Sequence, residues 1–498
     1  MTKTAPSLPV HRRAVVDLGS NSVRLVIYEG ELRNPVPIFN EKAVLRLAKG
    51  ITNTGRLQDD TLMQAETVLH RYTNIAKAMG AGQIEVLATS AVRDAENGPA
   101  FAREMMAQMP DLHISVLSGE EEATLSAEGV LCGIPGANGI LADLGGGSLE
   151  LVELNSGTPG KAATLPVGVI RLAERAGNTI SRARSIMTEA LATVPFAGDA
   201  AGKDLYLSGG AFRALARIHI AQTGYPLNIV HHYTISKEEA RDLAGVISEG
   251  GHKLVERMPG VPRRRIEDLP YAAVILRRLL RTTGAARVVF SANGLREGWF
   301  CRLLPPEIRA EDPLLAASRE LAAGTIRNSD LPDALVNWTA PLFPEETKAQ
   351  KRLRQAACWL SDISSHEHPE YKAEQAFMRV LRQAGMSLDH HARAFLALTV
   401  AVRYETPQDS GFLAPARALL DMQAAKRAET LGTGLRLAYT LSAGTPNLLA
   451  GTALSLTPHN TLVLTLEAAN GVFAGDAVLR RLERLALMLG REAETLIR

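Results

Sequence analysis

Two segments of the chain carry the same pattern of hydrophobic and polar positions. Residues 14–26 and 140–152 each begin with an apolar run, pass through an aspartate and a turn of small residues, and continue as a second apolar run. Aligned, both read D-L-G-x-x-S-x-x-L-V. An apolar run, a turn and an alternating run predict two strands joined by a tight turn. Because the pattern occurs twice, the sequence predicts two related lobes.

Strand and helix patterns alternate around the two copies. Apolar residues recur at helical spacing from Leu62 to Met79, and residues 84–90 and 114–117 are apolar runs that predict strands. A third strand and turn, over residues 205–211, leads into another helical pattern. This alternation predicts an α/β fold.

The pattern changes near Pro305 and Pro306. Helical periodicity dominates the residues that follow, and residues 454–466 alternate across a turn in the manner of a β-hairpin. The sequence therefore predicts an α/β fold of two lobes, followed by a helical domain and a small α+β domain. The predicted domains cover residues 1–132, 133–305, 306–430 and 431–498.

Composition narrows the class of protein. The chain has 498 residues, 46% of them hydrophobic and 22% charged, which is typical of a globular protein of about three to four domains. Its 55 basic and 53 acidic residues leave a charge too even for a protein that mainly coats nucleic acid, so we expect no specific nucleic-acid partner. The three cysteines, Cys132, Cys301 and Cys358, are far apart and indicate reduced thiols.

The sequence carries no signal for a membrane or for export. No apolar run approaches the roughly 18 residues that a membrane helix needs. Residues 1–9 lack the apolar core of a signal peptide. We therefore expect a cytoplasmic protein without membrane insertion.

The small-residue turns are candidates for phosphate binding. Turns that follow strands present clustered backbone N–H groups, which bind phosphate oxygens without basic side chains. Asp17 and Asp143 open the two repeated turns, and a carboxylate repels an anion unless a divalent cation lies between them. A tight structural hairpin is the alternative for either turn alone, but the repetition favours a site for phosphate and a divalent cation.

Five motifs, in their order along the chain, resemble a known family. The paired turns resemble the phosphate loops of the actin, sugar kinase and heat-shock ATPase superfamily. The full set is similar to the exopolyphosphatase and guanosine pentaphosphate phosphohydrolase family, and it covers residues 17–22, 88–93, 118–123, 143–148 and 291–298. The resemblance implies two actin-like (ribonuclease H-like) lobes with an active-site cleft, a helical HD-like domain and a homodimer.

The resemblance also implies an activity, which is removal of a terminal phosphate with Mg²⁺ and with water as the nucleophile. The first hypothesis is an exopolyphosphatase that acts on inorganic polyphosphate. Its alternative is a guanosine pentaphosphate phosphohydrolase that uses the same residues. A kinase, in which a hydroxyl replaces water, and a non-catalytic regulator that binds polyphosphate or an alarmone are the remaining alternatives.

Glu122 is the candidate general base. Ser118 and Glu121 fit a capping box at a helix start, so Glu122 points about 100° further round that helix. Its position before Ala123 matches the general base of the family, which implies that it deprotonates the attacking water. The alternative is a solvated glutamate at a helix N-terminus.

Three carboxylates are candidate metal ligands. Asp143 matches the metal-binding aspartate of the family, and Glu150 lies seven residues later on the predicted returning strand. Asp17 has the equivalent position in the first lobe. The alternatives are an exposed strand carboxylate for Glu150 and a purely turn-forming role for Asp17.

The three turns and two arginines supply candidate phosphate contacts. Arg93 follows a predicted strand, where a guanidinium grips phosphate oxygens and offsets charge that develops during transfer; a surface ion pair with Asp94 or Glu96 is the alternative. The predicted phosphate-binding residues are Ser20, Asn21, Ser22, Gly145, Gly146, Gly147, Ser148, Ser208, Gly209, Gly210 and Arg265.

Two features lie outside these motifs. Between Lys253 and Arg302 there are eleven Lys or Arg against four acidic residues. They form either a basic track for a long polyanion or, at residues 277–281, the solvated face of a helix. Further along, Asp362 occupies the position of a metal-binding pair in the HD-like domain without a preceding histidine, so we expect no second metal centre.

Overall fold

The structure is a computed structural model that describes residues 11–30 and 32–498. The prediction made for residues 1–9 lies outside this part of the chain. The chain forms two compact units that divide between Ala310 and Glu311. None of the helices in the described residues is both long enough and apolar enough to span a bilayer.

The first lobe is built on a sheet of five strands in the order β3-β2-β1-β4-β5. The strands are β1 (Arg12–Leu18), β2 (Ser22–Glu29), β3 (Pro37–Val44), β4 (Ala81–Ala88) and β5 (Leu112–Val116). The helices are α1 (Ile51–Thr54), α2 (Asp59–Ala78), α3 (Ser90–Asp94) and α4 (Gly98–Gln108). Buried faces of α2 and α4 pack on this sheet and form the core of the lobe.

The second lobe is built on a sheet of six strands in the order β10-β11-β9-β6-β7-β8. The strands are β6 (Gly139–Leu144), β7 (Leu149–Asn155), β8 (Thr158–Leu165), β9 (Asp204–Ser208), β10 (Tyr233–Ser236) and β11 (Arg287–Phe290). The helices of this part are α5 (Gly119–Gly133), α6 (Val169–Arg175), α7 (Ile180–Ala192), α8 (Gly210–Thr223), α9 (Lys237–Glu249), α10 (Gly251–Arg257), α11 (Leu269–Thr283), α12 (Leu295–Arg302) and α13 (Pro306–Arg309).

The two sheets repeat one arrangement. In the first, β1 is antiparallel to β2 and parallel to β4; in the second, β6 is antiparallel to β7 and parallel to β9. A further antiparallel strand, β3 or β8, extends each sheet on the same side. The predicted pair of related actin-like lobes is therefore confirmed, and each repeated sequence segment is a strand, a tight turn and a strand.

Helix α5 lies between the two sheets. Its residue Ala127 belongs to a buried cluster with Leu141 of β6, whereas Leu125 belongs to a second cluster with Val15 of β1. Both sheets therefore fix the position of this helix, which carries Glu122 in its first turn.

Helix α12 crosses α5 with the two backbones in contact. A Cβ atom at Gly129 would lie 1.9 Å from the carbonyl oxygen of Gly294, and one at Gly298 would lie 1.9 Å from that of Leu125. Only glycine permits so close an approach. The crossing sets the distance of α12 from the helix that carries Glu122.

The second unit is helical and ends in a small mixed sheet. Its helices are α14 (Pro313–Ala323), α15 (Leu331–Thr339), α16 (Lys348–Leu360), α17 (Lys372–Arg382), α18 (His390–Arg403), α19 (Ala414–Leu419), α20 (Met422–Ser442), α21 (Pro446–Ala450) and α22 (Asp476–Leu489). Strands β12 (Thr452–Leu456), β13 (Thr461–Leu466) and β14 (Glu492–Ile497) form the sheet.

The predicted hairpin is confirmed, because β12 pairs antiparallel with β13. The predicted fold class, with a helical HD-like domain and an α+β end, is confirmed as well. The finer division into four domains stays a prediction, and α20 runs continuously through residue 430.

Candidate active site

The two repeated turns face one another. A Cβ atom at Gly147 would lie 2.6 Å from Oγ of Ser90 and 2.9 Å from Oγ of Ser20, and these two hydroxyls are hydrogen-bonded to each other at 2.7 Å. A Cβ atom at Gly146 would lie 3.0 Å from Cβ of Ser20. Turn 145–148 of the second lobe therefore packs directly on turn 19–22 of the first.

A cleft of about 900 Å³, open solvent included, begins at these turns. Most of the predicted site residues line it: Asp17, Ser20, Asn21, Ser22, Glu122, Asp143, Gly145, Gly146, Glu150, Ser208, Gly209, Gly210 and Arg265. Three predicted residues, Arg93, Gly147 and Ser148, do not line it. Gly147 lies against the two serine hydroxyls, and Ser148 is buried.

Strand register places charged side chains side by side on each lobe. In the first sheet, Arg24 is the cross-strand partner of both Asp17 and Lys42. In the second, Glu150 is the cross-strand partner of Asp143. Cross-strand partners lie on the same face of a sheet, so both sheets direct a charged row into the cleft.

The carboxylates of the cleft repel one another. Burial raises the pKa of Glu150 well above its ordinary value, and the negative charges of Glu122 and Asp143 raise it further. Burial also raises the pKa of Asp17 and of Asp143, and nearby arginines partly offset this. Glu150 is only 2% exposed, which rules out the predicted alternative of an exposed strand carboxylate.

Glu122 is held at the start of α5 by the predicted capping box. Oγ of Ser118 accepts from the backbone N–H of Glu121 at 3.2 Å, and the Glu121 carboxylate accepts from the N–H of Ser118 at 2.8 Å. Glu122, only 8% exposed, points into the cleft instead. The pKa of Glu122 is raised to about 7, because burial and the charges of Asp143 and Asp17 together outweigh the lowering by the hydrogen bond and charge of Arg93. The alternative of a solvated glutamate is therefore excluded.

Arg93 lies behind Glu122 and bonds to it. Its Nη1 donates to Oε2 of Glu122 at 2.7 Å and to the carbonyl of Leu117 at 3.1 Å. Its Nε donates to Asp94 at 3.1 Å, and Asp94 also accepts from Arg171 of the second lobe at 2.7 Å. The ion pair with Asp94 is thus present, and the guanidinium orients Glu122 from outside the lining of the cleft.

Ser126 was missed by the sequence analysis. Its Oγ donates to Oδ2 of Asp143 at 2.5 Å. Residues four apart share a helix face, so the i, i+4 spacing from Glu122 was the available signal. The hydroxyl fixes one oxygen of the Asp143 carboxylate.

Four further cations in the lining were missed: Arg24, Lys42, Arg213 and Arg296. Burial, followed by the charges of Arg265, Arg24 and Arg213, lowers the pKa of Lys42 to about 8. Burial, followed by Arg296 and Arg24, lowers the pKa of Arg213 to about 10. Within the described residues, Nη1 of Arg296 is buried without a hydrogen-bond partner. So many converging like charges suit a polyanionic ligand.

Arg265 closes one side of the cleft. It ends the 3₁₀ turn Arg263–Arg265, and a Cβ atom at Gly210 would lie 2.2 Å from its Nη2. Its Nη1 lies 3.5 Å from Oδ2 of Asp268, which accepts from Nδ2 of Asn21 at 3.1 Å. The guanidinium is thereby tied to the turn of the first lobe.

The carboxylate oxygens of the cleft suit Mg²⁺ better than a metal ion that is held by protein side chains alone. Among residues 11–30 and 32–498, no cluster of three or more His, Cys, Asp or Glu is arranged to hold a metal ion. Mg²⁺ typically uses one or two carboxylates and takes the remaining oxygens from water and substrate phosphates. The buried Oε1 of Glu150 has no hydrogen-bond partner in the described chain, and a cation would relieve the repulsion among these carboxylates.

Asp362 of the second unit is paired with arginines. Arg327 donates to both of its oxygens, at 2.9 and 3.0 Å, and Arg403 donates to Oδ1 at 3.3 Å. The guanidinium of Arg403 lies over the rings of Tyr404 and Tyr439, 4.1 and 3.8 Å from their centroids. The buried Asp362 carboxylate is therefore part of a cluster of ion pairs.

Two family models match consecutive parts of the chain. The model described as the Ppx/GppA phosphatase family matches residues 25–307, which is more than half of the 498 residues. The model described as exopolyphosphatase, C-terminal, matches residues 314–496. The gap between the two matches contains the division between the two units.

Similar proteins include two curated relatives and one solved structure. Retrograde regulation protein 2 of Saccharomyces cerevisiae is 25% identical over 436 residues, which are 78% of this chain and 72% of that protein. Exopolyphosphatase 2 of Mycobacterium tuberculosis is 33% identical over 208 residues, which are 37% of this chain and 64% of that protein. An exopolyphosphatase from Cytophaga hutchinsonii superposes with a TM-score of 0.53 at 22% identity, covering 59% of this chain and 98% of that one. The superposition supports the fold of the two lobes.

Proposed function

Because the chain belongs to the Ppx/GppA phosphatase family and is therefore a phosphatase, we propose that it is an exopolyphosphatase that hydrolyses the terminal phosphate of inorganic polyphosphate. One observation carries the proposal. A buried carboxylate whose pKa is raised to about 7, Glu122, faces a cleft lined by two phosphate-binding turns and five cations.

Substrate binding is assigned to the turns and the cations. Phosphate oxygens are received by backbone N–H groups of the turn residues that line the cleft, which are Ser20, Asn21, Gly146, Gly209 and Gly210. Arg24, Lys42, Arg213, Arg265 and Arg296 neutralise the chain of phosphates. Their mutual repulsion in the free protein is relieved when a polyanion binds, and this relief contributes to affinity.

Glu122 acts as the general base. It orients water opposite the leaving phosphate oxygen and accepts the proton that water loses as the new P–O bond forms. The P–O bond to the leaving oxygen breaks, so that orthophosphate and a polyphosphate shorter by one phosphate are released. A carboxylate with a pKa near 7 is ionised in a large fraction of molecules at neutral pH and still basic enough to accept the proton. Arg93 is a positioning residue, since it bonds to Oε2 of Glu122 and does not line the cleft.

One or two of the carboxylates Asp143, Glu150 and Asp17 would hold Mg²⁺, with Ser126 orienting Asp143. When bound, Mg²⁺ neutralises charge on the phosphates during transfer. The chain's own contribution is to present buried carboxylate oxygens whose repulsion favours a cation. Arg24 and Lys42, in the same strand row as Asp17, keep phosphate oxygens near these carboxylates.

The lining of the cleft favours inorganic polyphosphate over guanosine pentaphosphate. None of its residues in the described part of the chain is aromatic, so it offers no ring on which a guanine base would stack. The turns and cations are complementary to phosphate groups alone. Guanosine pentaphosphate remains the alternative substrate.

A side-by-side rate comparison tests this proposal. The purified full chain is given long-chain polyphosphate, tripolyphosphate and guanosine pentaphosphate while Mg²⁺ is titrated, and released orthophosphate is measured. We expect orthophosphate from polyphosphate at the highest kcat/KM and only with Mg²⁺ present. Transfer to a hydroxyl acceptor would support the kinase alternative, and binding without turnover would support the regulator. Light scattering and cell fractionation would test the proposed homodimer and cytoplasmic location.

A further inference from the structure

A second concentration of cations lies outside the cleft, in a groove formed by α7, α9 and α11. It encloses about 1100 Å³, open solvent included. Its lining contains six basic residues, with Val274 and Leu280 beneath them: Arg184, Lys237, Arg241, Arg277, Arg278 and Arg281. It shares no lining residue with the cleft. We name it the basic groove.

Few carboxylates compensate these charges. Glu249 accepts from Arg184 at 3.1 Å and from Arg277 at 2.6 Å, and Arg241 lies 3.5 Å from Asp242. In the described chain, the other three basic residues of the groove, Lys237, Arg278 and Arg281, make no ion pair. The groove therefore carries a large positive excess, which a bound polyanion would stabilise.

Like charges surround the partly buried Arg278 in this groove. Burial lowers the pKa of Arg278, and the charges of Arg281, Arg184 and Arg277 lower it further. A solvated helix face alone would leave the arginines free to spread apart. Here three helices hold them around one concave surface.

The chemistry of the lining indicates phosphate groups without bases. Planar guanidinium groups match phosphate oxygens with two parallel hydrogen bonds. Single-stranded nucleic acids need aromatic side chains for base stacking, and no described residue of the lining is aromatic. A chain of bare phosphates is the ligand that satisfies both observations.

Helix α11 joins the groove to the cleft. Asp268, the residue before α11, is bonded to Asn21 of the first turn. With a rise of about 1.5 Å per residue, Arg277 lies about 14 Å and Arg281 about 20 Å further along the helix axis. A polyphosphate whose end lies in the cleft therefore has a second cationic surface on the same lobe.

We propose that the basic groove binds a second stretch of inorganic polyphosphate, remote from the phosphate that is hydrolysed. The identity of the chain rests on the proposed function. Occupancy of the groove holds the polymer on the protein between cleavage events and raises the effective concentration of its end at the cleft.

The test compares two double variants of the full chain. R278Q/R281Q removes two groove cations that make no ion pair, and R103Q/K161Q removes two exposed cations that do not line the groove. The ligand is a fluorescent long-chain polyphosphate with both ends blocked, so that it cannot be hydrolysed from an end. Binding is measured while tripolyphosphate saturates the cleft.

We expect R278Q/R281Q to raise the Kd about tenfold and to lessen its salt dependence, since fewer counterions are exchanged. Its KM for unblocked long-chain polyphosphate should rise by a similar factor while its KM for tripolyphosphate stays that of the wild type. R103Q/K161Q should leave every value unchanged. R281Q alone, at an exposed position, should give a smaller rise of the same kind, which separates binding from any effect on folding.

An unchanged Kd in both groove variants overturns the proposal. So does displacement of the blocked polyphosphate by single-stranded DNA of equal charge at equal concentration. Failure of the proposed function gives a different result. The binding assay with the blocked polyphosphate needs no hydrolysis, so it shows whether the groove binds polyphosphate even if the protein hydrolyses none.

Discussion

Arg24 and Glu150 occupy the same position in the two repeated hairpins, and each is the cross-strand partner of the aspartate in its own hairpin. One structural frame thus carries a guanidinium on one wall of the cleft and a carboxylate on the other. Opposite charges at equivalent positions suit a cleft in which Arg24 attracts phosphates and Glu150 favours a divalent cation.

Replacing Glu122 by glutamine should lower kcat by about two to four decades and leave polyphosphate binding intact, because the amide keeps the shape of the side chain and cannot accept the proton of water. Steady-state kinetics and equilibrium binding check this expectation. E120Q is the matched control, since Glu120 is its exposed neighbour. Near-parental turnover in E122Q would remove Glu122 from its assigned role.

Replacing Arg93 by glutamine should move the pH dependence of the rate. The pKa of Glu122 is raised to about 7, chiefly by burial, and the hydrogen bond from Arg93 limits that rise. Its loss raises that pKa further, so the rising limb of kcat/KM against pH should shift to higher pH. KM should change little, and R93K should restore part of the shift. If R93Q instead raises KM and leaves the rising limb of kcat/KM at the same pH, Arg93 is a phosphate contact.

Loss of the Lys42 proton should weaken substrate capture in alkaline solution. The pKa of Lys42 lies at about 8 in the free protein, so kcat/KM should fall as pH rises through 8, because the cleft loses a positive charge. In K42R the guanidinium keeps its proton, and the falling limb should move to higher pH. If the wild type and K42R have the same dependence of kcat/KM on pH, the falling limb belongs to another group.

Substituting Gly147 by alanine should force the two turns apart. The new Cβ atom would lie 2.6 Å from Oγ of Ser90 and 2.9 Å from Oγ of Ser20. We expect a loss of about 1–3 kcal/mol in stability together with lower kcat. G136A is the control, because a Cβ atom at Gly136 has no neighbour within 4 Å. Urea unfolding of both variants gives the comparison, and equal midpoints would mean that the turns are not tightly packed.

Replacing Ser126 by alanine should weaken Mg²⁺ binding without abolishing the reaction. Ser126 donates to Asp143 at 2.5 Å, and loss of such an outer partner typically lowers metal affinity about 10- to 100-fold. The Mg²⁺ concentration for half-maximal rate should rise accordingly, and excess Mg²⁺ should recover most of kcat. S185A, at an exposed helix position, is the control. An unchanged Mg²⁺ requirement would argue against Asp143 as a ligand.

The sequence predicted the features that depend on local pattern. The repeated hairpins and the capping box at Ser118 follow from short-range spacing, and the structure has both. Glu122 was singled out by the family resemblance, and the structure places it in the lining of the cleft. Asp17 and Asp143 could be paired because the repeat gives them equivalent positions. Their convergence at one cleft then follows from the two lobes facing each other.

The cations of the cleft depend on tertiary placement and were harder to predict. Lys42 enters the cleft through the register of β3 on β2, which no local signal fixes. Arg213 and Arg296 lie on helices, where an arginine is more often solvated. Arg93 was expected at phosphate, but the fold brings Glu122 within 2.7 Å of it.

The contact of α5 with α12 limits which residues the chain tolerates far from any phosphate. A methyl group at Gly129 or Gly298 would push the helices apart, and since one helix carries Glu122 and the other Arg296, the separation of carboxylate and guanidinium would widen with them. Natural variants should accordingly be as scarce at these two glycines as at Glu122, and a saturation library scored for growth on polyphosphate would reveal that scarcity directly.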